Sequence, residues 1–206
     1  MTHNPKDLSR YTARERVNHW LVAICFILIA LSGIGFFHPA FWPFTQLFGG
    51  GVWTRILHPF LGVLMMISFA FMFVHFRMLN RMTPADWEWV RRIGELVRGD
   101  DRNMPAQGKY NGGQKLVFWA MAACLLLMTL SGIVMWRAYF TFPVTLVRLA
   151  SVIHAAVAAL FIGIIFMHAY AAIWTKGTLG AMVYGRVGRA WAKQHHPIWY
   201  RQMMGG

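Results

Sequence analysis

Between Arg148 and Lys176 the chain runs for 27 residues without a charged side chain, and His154 and His168 stand near the two ends of that stretch. About 20 apolar residues suffice to cross a bilayer as a helix. Inside hydrocarbon every backbone N–H and C=O must be satisfied within the segment, which leaves the helix as the form open to a single run. An imidazole in the same medium is costly unless something binds it. The stretch therefore calls for a membrane helix and for partners to two of its histidines.

Three more runs have the same character. Together the four are placed at 17–37, 56–79, 116–136 and 149–174. With 57% hydrophobic and 13% charged residues over 206, the composition fits neither a soluble domain nor a disordered chain. The expectation is an all-α integral membrane protein: a four-transmembrane-helix bundle forming a single membrane domain over 1–206, with a tail at 176–206. The segment before the first run is polar and basic and lacks an A-x-A cleavage site, so that run is read as a retained span and not a signal peptide.

The basic residues set the direction. Four precede the first run (Lys6, Arg10, Arg14, Arg16), eight lie from Arg77 to Lys115 and five from Lys176 onward, whereas the two other connections hold only Arg55, Arg137 and Arg148. Both termini and the middle loop are thus expected in the cytoplasm, with Trp20, Trp53, Trp119, Trp136 and Trp174 as interface anchors. A net charge of +13 raises nucleic-acid binding, but these charges lie between apolar runs and not on one basic face, so no nucleic-acid partner is expected. Cys25 and Cys124 both sit in apolar runs without a CxxC or CxxCH pattern, which argues against iron–sulfur ligation and covalent haem and for inert buried thiols.

Within the middle loop, Thr83, Pro84 and Asp86 form a helix-start signature, and Trp89, Val90, Ile93, Leu96 and Val97 recur at helical spacing. A short amphipathic helix over 83–97, lying on the cytoplasmic interface, is expected. The basic, aromatic tail is expected to pack on the cytoplasmic surface or on a partner. The tetrapeptide LSGI occurs at 31–34 and at 130–133. Its small residues, Ser32–Gly33 and Ser131–Gly132, allow a helix or a flat cofactor to approach the backbone closely.

His3, His38, His195 and His196 are read as solvated; the other five histidines lie in or beside the runs. By depth they divide into an outer pair, His58 and His154, and an inner trio, His19, His75 and His168. His154 and His168 are 14 residues apart, which is about 21 Å of helix rise and about 40° of azimuth, so they share a face. His58 and His75 differ by about 100° and do not. Pro59 suits a first helical turn, which supports His58 as a fixed, outer-end position. Two haem irons, each between two imidazoles, account for the pattern: His58 with His154 outside, and His168 inside with His19 or His75, of which the shared-face argument favours His19. Electrons would then cross the membrane. Arg14, Arg16 and Arg55 are candidates for haem propionates, with topology and lipid headgroups as their alternative role. Asn111 and Gln114, in KYNGGQK (109–115), offer amide donors to a quinone carbonyl, and Gly112 and Gly113 leave room for a ring.

The segments RYTARERVNHW (10–20), RILHPFLGV (55–63), KYNGGQKLVFW (109–119), IHAAVA (153–158), MHAYAAIWTKGTLGAM (167–182) and AWAKQHHPIWY (190–200) resemble, in order and spacing, the cytochrome b556 (gamma) subunit of membrane-bound respiratory formate dehydrogenases. The resemblance implies two b-type haems, with His58 and His154 as axial ligands of the periplasm-facing one and His19 and His168 of the cytoplasm-facing one. His75 matches no family motif. It implies a quinone pocket, for menaquinone or ubiquinone, at Asn111, Gln114 and His168, with Tyr110 and Ala172 as further candidates. Gly112 departs from the family pattern, where a bulkier residue stands. The resemblance further implies an iron–sulfur (beta) subunit and a molybdenum or tungsten catalytic (alpha) subunit as partners, with a higher oligomer of the heterotrimer possible in principle, in the bacterial inner membrane. The chain itself would carry no formate chemistry. Two alternatives stand beside this: the cytochrome b subunit of a nickel–iron hydrogenase or related reductase, and a histidine-relay proton channel or transporter, against which the lack of Asp or Glu in the runs counts.

Overall fold

A computed structural model describes residues 7–100 and 102–205; His3 and Lys6 lie outside them. In chain order the described residues form β1 (Leu8–Ser9), α1 (Ala13–Phe37), a 3-10 segment (Pro39–Phe48), α2 (Gly51–Phe76), α3 (Pro84–Arg91), α4 (Ile93–Val97), α5 (Gly112–Met135), α6 (Val144–Trp174), α7 (Thr178–Tyr184), β2 (Arg186–Val187), α8 (Arg189–His195) and α9 (Pro197–Met204). Among them α1, α2, α5 and α6 are long and apolar enough to cross a membrane, as the four runs predict. Each begins four or five residues ahead of its predicted start, because polar residues hold the first turn where hydropathy alone sees the run end. At α1 the Thr12 N–H and hydroxyl donate to Glu15 Oε2, and the Glu15 N–H donates back to the Thr12 hydroxyl. That reciprocal cap draws Glu15 into a helix expected to contain no acid.

The chain divides into two compact units. The bundle unit comprises Val17–Val74 and Met121–Met167. Its core is Cys25, Met65, Phe69, Cys124, Leu125 and Phe161, with Phe26 edge-on to Phe161 at 5.0 Å. Both thiols are buried and free, in keeping with inert packing. In the first turn of α2, Thr54 is fully buried and its hydroxyl donates to the carbonyls of Thr45 and Gly50. Gly49 and Gly50 turn the chain there with φ of 86° and 94°, a left-handed conformation that suits glycine.

The second, loop-and-tail unit comprises the described residues up to Arg16, those within His75–Ala120 and those from His168. The expected helix over 83–97 forms but is interrupted: α3 ends at Arg91, Arg92 leaves helical geometry (φ −92°, ψ 6°), and α4 follows. Thr83 caps α3 in a full capping box with Asp86. The tail folds onto its own chain. β2 pairs antiparallel with β1, Leu8 opposite Val187 and Ser9 opposite Arg186, and Leu8, Ala181, Val187, Ala192 and Trp199 form a second small core.

Candidate haem-binding site

The best-defined arrangement of ligating side chains lies in the bundle unit. His58 is carried by α2 and His154 by α6, and their ring centres are 6.3 Å apart. Each ring is held from behind in the same way. The Ser32 hydroxyl, on α1, donates its one proton to the Ile29 carbonyl at 2.9 Å and lies 2.7 Å from His58 Nδ1. The Ser131 hydroxyl, on α5, donates to the Leu127 carbonyl at 2.7 Å and lies 2.9 Å from His154 Nδ1. A hydroxyl whose proton is already engaged can only accept, so Nδ1 is the donor in both rings. That tautomer leaves the lone pair on Nε2, the arrangement by which a metal-ligating histidine is oriented through its other nitrogen. The neighbouring glycines complete the cradle: a Cβ on Gly33 would lie 3.4 Å from His58 Cε1, and one on Gly132 would lie 3.5 Å from His154 Cε1. The LSGI repeat thus builds two matching seats. Sequence reasoning saw its small residues and missed the hydroxyls. The only signal available was the repeat itself.

Two imidazoles on opposite sides of one metal, with metal–nitrogen bonds of about 2 Å and about 1.1 Å from nitrogen to ring centre, place their ring centres about 6 Å apart. The observed separation fits. Among the described residues no three His, Cys, Asp or Glu side chains gather around a common point; His58 and His154 would together supply two imidazole ligands to the iron of a bound haem, which would supply one-electron chemistry there.

A family model described as prokaryotic cytochrome b561 matches residues 10–185. The chain belongs to the prokaryotic cytochrome b561 family. It is 45% identical over 196 residues to the Escherichia coli (strain K12) formate dehydrogenase, cytochrome b556(fdo) subunit, covering 94% of this chain and 92% of that one. It is 42% identical to the nitrate-inducible formate dehydrogenase, cytochrome b556(Fdn) subunit of the same strain, covering 92% and 88%. It is 34% identical to the Haemophilus influenzae formate dehydrogenase, cytochrome b556 subunit, covering 97% and 84%. Within the cytochrome b561 family it therefore groups with formate dehydrogenase cytochrome b556 subunits, as a multi-pass membrane protein, and membership implies haem b. The tautomers, the glycine cradles and the ring separation at His58 and His154 fit that group.

The other residues singled out for this family are placed as follows. His19, on α1, is half-buried and edge-on to Trp20 at 5.6 Å; it belongs to the bundle unit. His168, on α6, belongs to the loop-and-tail unit and is exposed; Ala172, in the same unit, is half-buried. His75 bonds through Nε2 to Glu15 Oε1 at 2.7 Å, so it has a protein partner of its own. Arg16 donates to the Val183 carbonyl and Arg55 lies over the Phe36 ring at 5.9 Å.

The quinone candidates turn out to be the N-terminal cap of α5. Asn111 Oδ1 accepts from the Gln114 N–H at 2.9 Å, and Gln114 Oε1 accepts from the Asn111 N–H at 3.1 Å. Their carbonyl oxygens are thereby engaged, and their amide NH₂ ends are the donors a quinone carbonyl would meet. The room expected at the two glycines is filled by α3: a Cβ on Gly112 would collide with the Asp86 carbonyl oxygen, and one on Gly113 would lie 2.7 Å from the Trp89 ring. Tyr110 is buried, and burial with its bond to Tyr11 drives its hydroxyl pKa far above the usual phenol range. His196, expected to be solvated, is 2% exposed.

Proposed function

We propose that this chain is the di-haem membrane subunit of a formate dehydrogenase, taking electrons from an iron–sulfur subunit on the periplasmic side and delivering them to menaquinone or ubiquinone near the cytoplasmic face. The observation that supports it most is the matched pair of Ser–His seats at His58 and His154. The relatives' names, as formate dehydrogenase cytochrome b556 subunits, supply the complex.

In this reading His58 and His154 hold one haem b, and His19 and His168 hold a second. Haem iron supplies one-electron transfer. The chain's own residues do the rest. Ser32 and Ser131 fix which imidazole nitrogen is free and raise its basicity. The apolar core beneath the seats excludes water. Asn111 and Gln114, locked by their mutual cap, present amide N–H groups to a quinone oxygen beside His168. With both termini in the cytoplasm, as the basic residues imply, quinol formation draws its protons from the cytoplasm and the electrons come from the other side, so turnover charges the inner membrane. The catalytic (alpha) and iron–sulfur (beta) subunits provide the formate chemistry.

The test is the purified complex, followed optically. Formate is expected to reduce the b-type haem, and an added naphthoquinone is expected to reoxidise it. Haem reduced by formate but inert to quinone would contradict the terminal step, and His154→Ala with unaltered haem reduction would contradict the route.

A further inference from the structure

Residues 105–111 form no regular helix or strand, yet three consecutive carbonyls in this segment are each held by a distant part of the chain. The Gln107 carbonyl accepts from the Ile198 N–H at 3.1 Å. The Gly108 carbonyl accepts from His196 Nδ1 at 2.8 Å. The Lys109 carbonyl accepts from Arg10 Nη2 at 2.7 Å. Arg10 and His196 are also bonded to each other, Nη2 to Nε2 at 3.2 Å. Since guanidinium only donates, His196 Nε2 accepts and Nδ1 carries the proton. The Gln107 side chain then reaches forward, its Oε1 accepting from the Gly112 N–H at 3.1 Å. The next residues are the Asn111 and Gln114 cap.

The fixing groups are themselves enclosed. Arg10 is 4% exposed, and its guanidinium carbon lies 5.0 to 5.8 Å from the ring centres of Tyr11, Tyr110, Trp191 and Trp199. Nη1 has no hydrogen-bond partner among the described residues, so the ring faces compensate its charge. Burial, reinforced by Arg10, pushes the His196 pKa down to about 3. The imidazole is therefore neutral at physiological pH, and the Arg10 bond selects the tautomer above.

We propose that Arg10 and His196 are positioning residues for quinone reduction: joined to the tail backbone, they pin the 107–109 carbonyls and so set where the Asn111 and Gln114 amides stand. The proposal rests on the quinone reading above. A loop that had only to connect α4 to α5 could leave those carbonyls to water. Fixing three in succession from both ends of the chain is what a site needs if a shift of about 1 Å is to be avoided.

The test uses the intact complex, with menadione as the soluble quinone. His196→Leu, which removes both ring bonds, is expected to raise KM for menadione about tenfold while leaving haem content and formate-driven haem reduction unchanged, and to speed amide hydrogen exchange across 107–114. His196→Gln, which keeps a donor and an acceptor, is expected to recover most of the affinity, and Arg10→Lys to raise KM two- to fivefold. If His196→Leu does not assemble, Arg10→Lys decides through the same KM. Unchanged KM in His196→Leu, or in Arg10→Lys where His196→Leu does not assemble, with working wild type, would overturn this proposal alone. Wild type that reduces its haem with formate but does not turn over menadione would remove the quinone reading, and this proposal with it.

Discussion

Ser131 gives its one proton to a carbonyl of its own helix and takes one from His154, and Ser32 does the same for His58. Removing the acceptor makes the imidazole a weaker base and a poorer ligand to ferric iron. If His154 holds a haem as proposed, Ser131→Ala is therefore expected to raise that haem's midpoint potential and to weaken its retention by about 10- to 100-fold. A redox titration of the visible bands in the variant checks both effects. The histidines themselves were legible in the sequence because a polar ring in an apolar run is conspicuous. The serines were not, because Ser32 stands 26 residues from the ring it serves and only the folded hairpin joins them. Gly112 shows the opposite failure. Its smallness was read as space for a ligand, whereas the Asp86 backbone occupies that space. Gly112→Ala is expected to cost about 1–3 kcal/mol of stability by overpacking, seen as a lowered thermal midpoint.

The amphipathic helix was legible as far as its cap, since Thr83, Pro84 and Asp86 are local signals. Its partner was not. Lys115, at the start of α5, donates to Asp86 Oδ2 at 2.6 Å, and both side chains are nearly inaccessible. Burial alone would raise the Asp86 carboxyl, but the bonds from Lys115 and Thr83 outweigh it and hold its pKa below the usual carboxylate range. Asp86→Asn leaves the ammonium without its counter-charge. It is expected to destabilise the α3–α5 contact by about 3–5 kcal/mol, where Asp86→Asn with Lys115→Met recovers part of the loss. Thermal unfolding of the single and double variants checks this. The tail was read only as basic and aromatic, because its small core and its β1 pairing join residues almost a full chain length apart. It carries a pH signature. His196 protonates near 6.5 when the tail is loose and at about 3 when it is buried. The unfolded form therefore binds more protons between these values, and the packing contributed by His196, complete above about pH 6.5, weakens as pH falls toward 3. Amide exchange over 189–204 as a function of pH is expected to show faster opening on the acid side, and the dependence should vanish in His196→Gln.

The four membrane helices were the most legible feature of the whole chain, since length and hydropathy decide them. Their direction is inferred from seventeen basic residues in three segments against three in the other two connections. A single cysteine placed near Gly205 in a chain lacking Cys25 and Cys124 is expected to be shielded from an impermeant thiol reagent in intact cells, and one near Tyr139 to be labelled. Membership of the cytochrome b561 family and identity to formate dehydrogenase subunits agree with what the histidine pattern implied about haem. The most direct measurement of the central claim is a pyridine haemochrome count on the purified wild-type complex and on His154→Ala and His168→Ala. Two haem b per chain are expected in the wild type and one in each variant, with different surviving redox potentials. A wild-type count of one or none, or both haems retained in either variant, would contradict the claim.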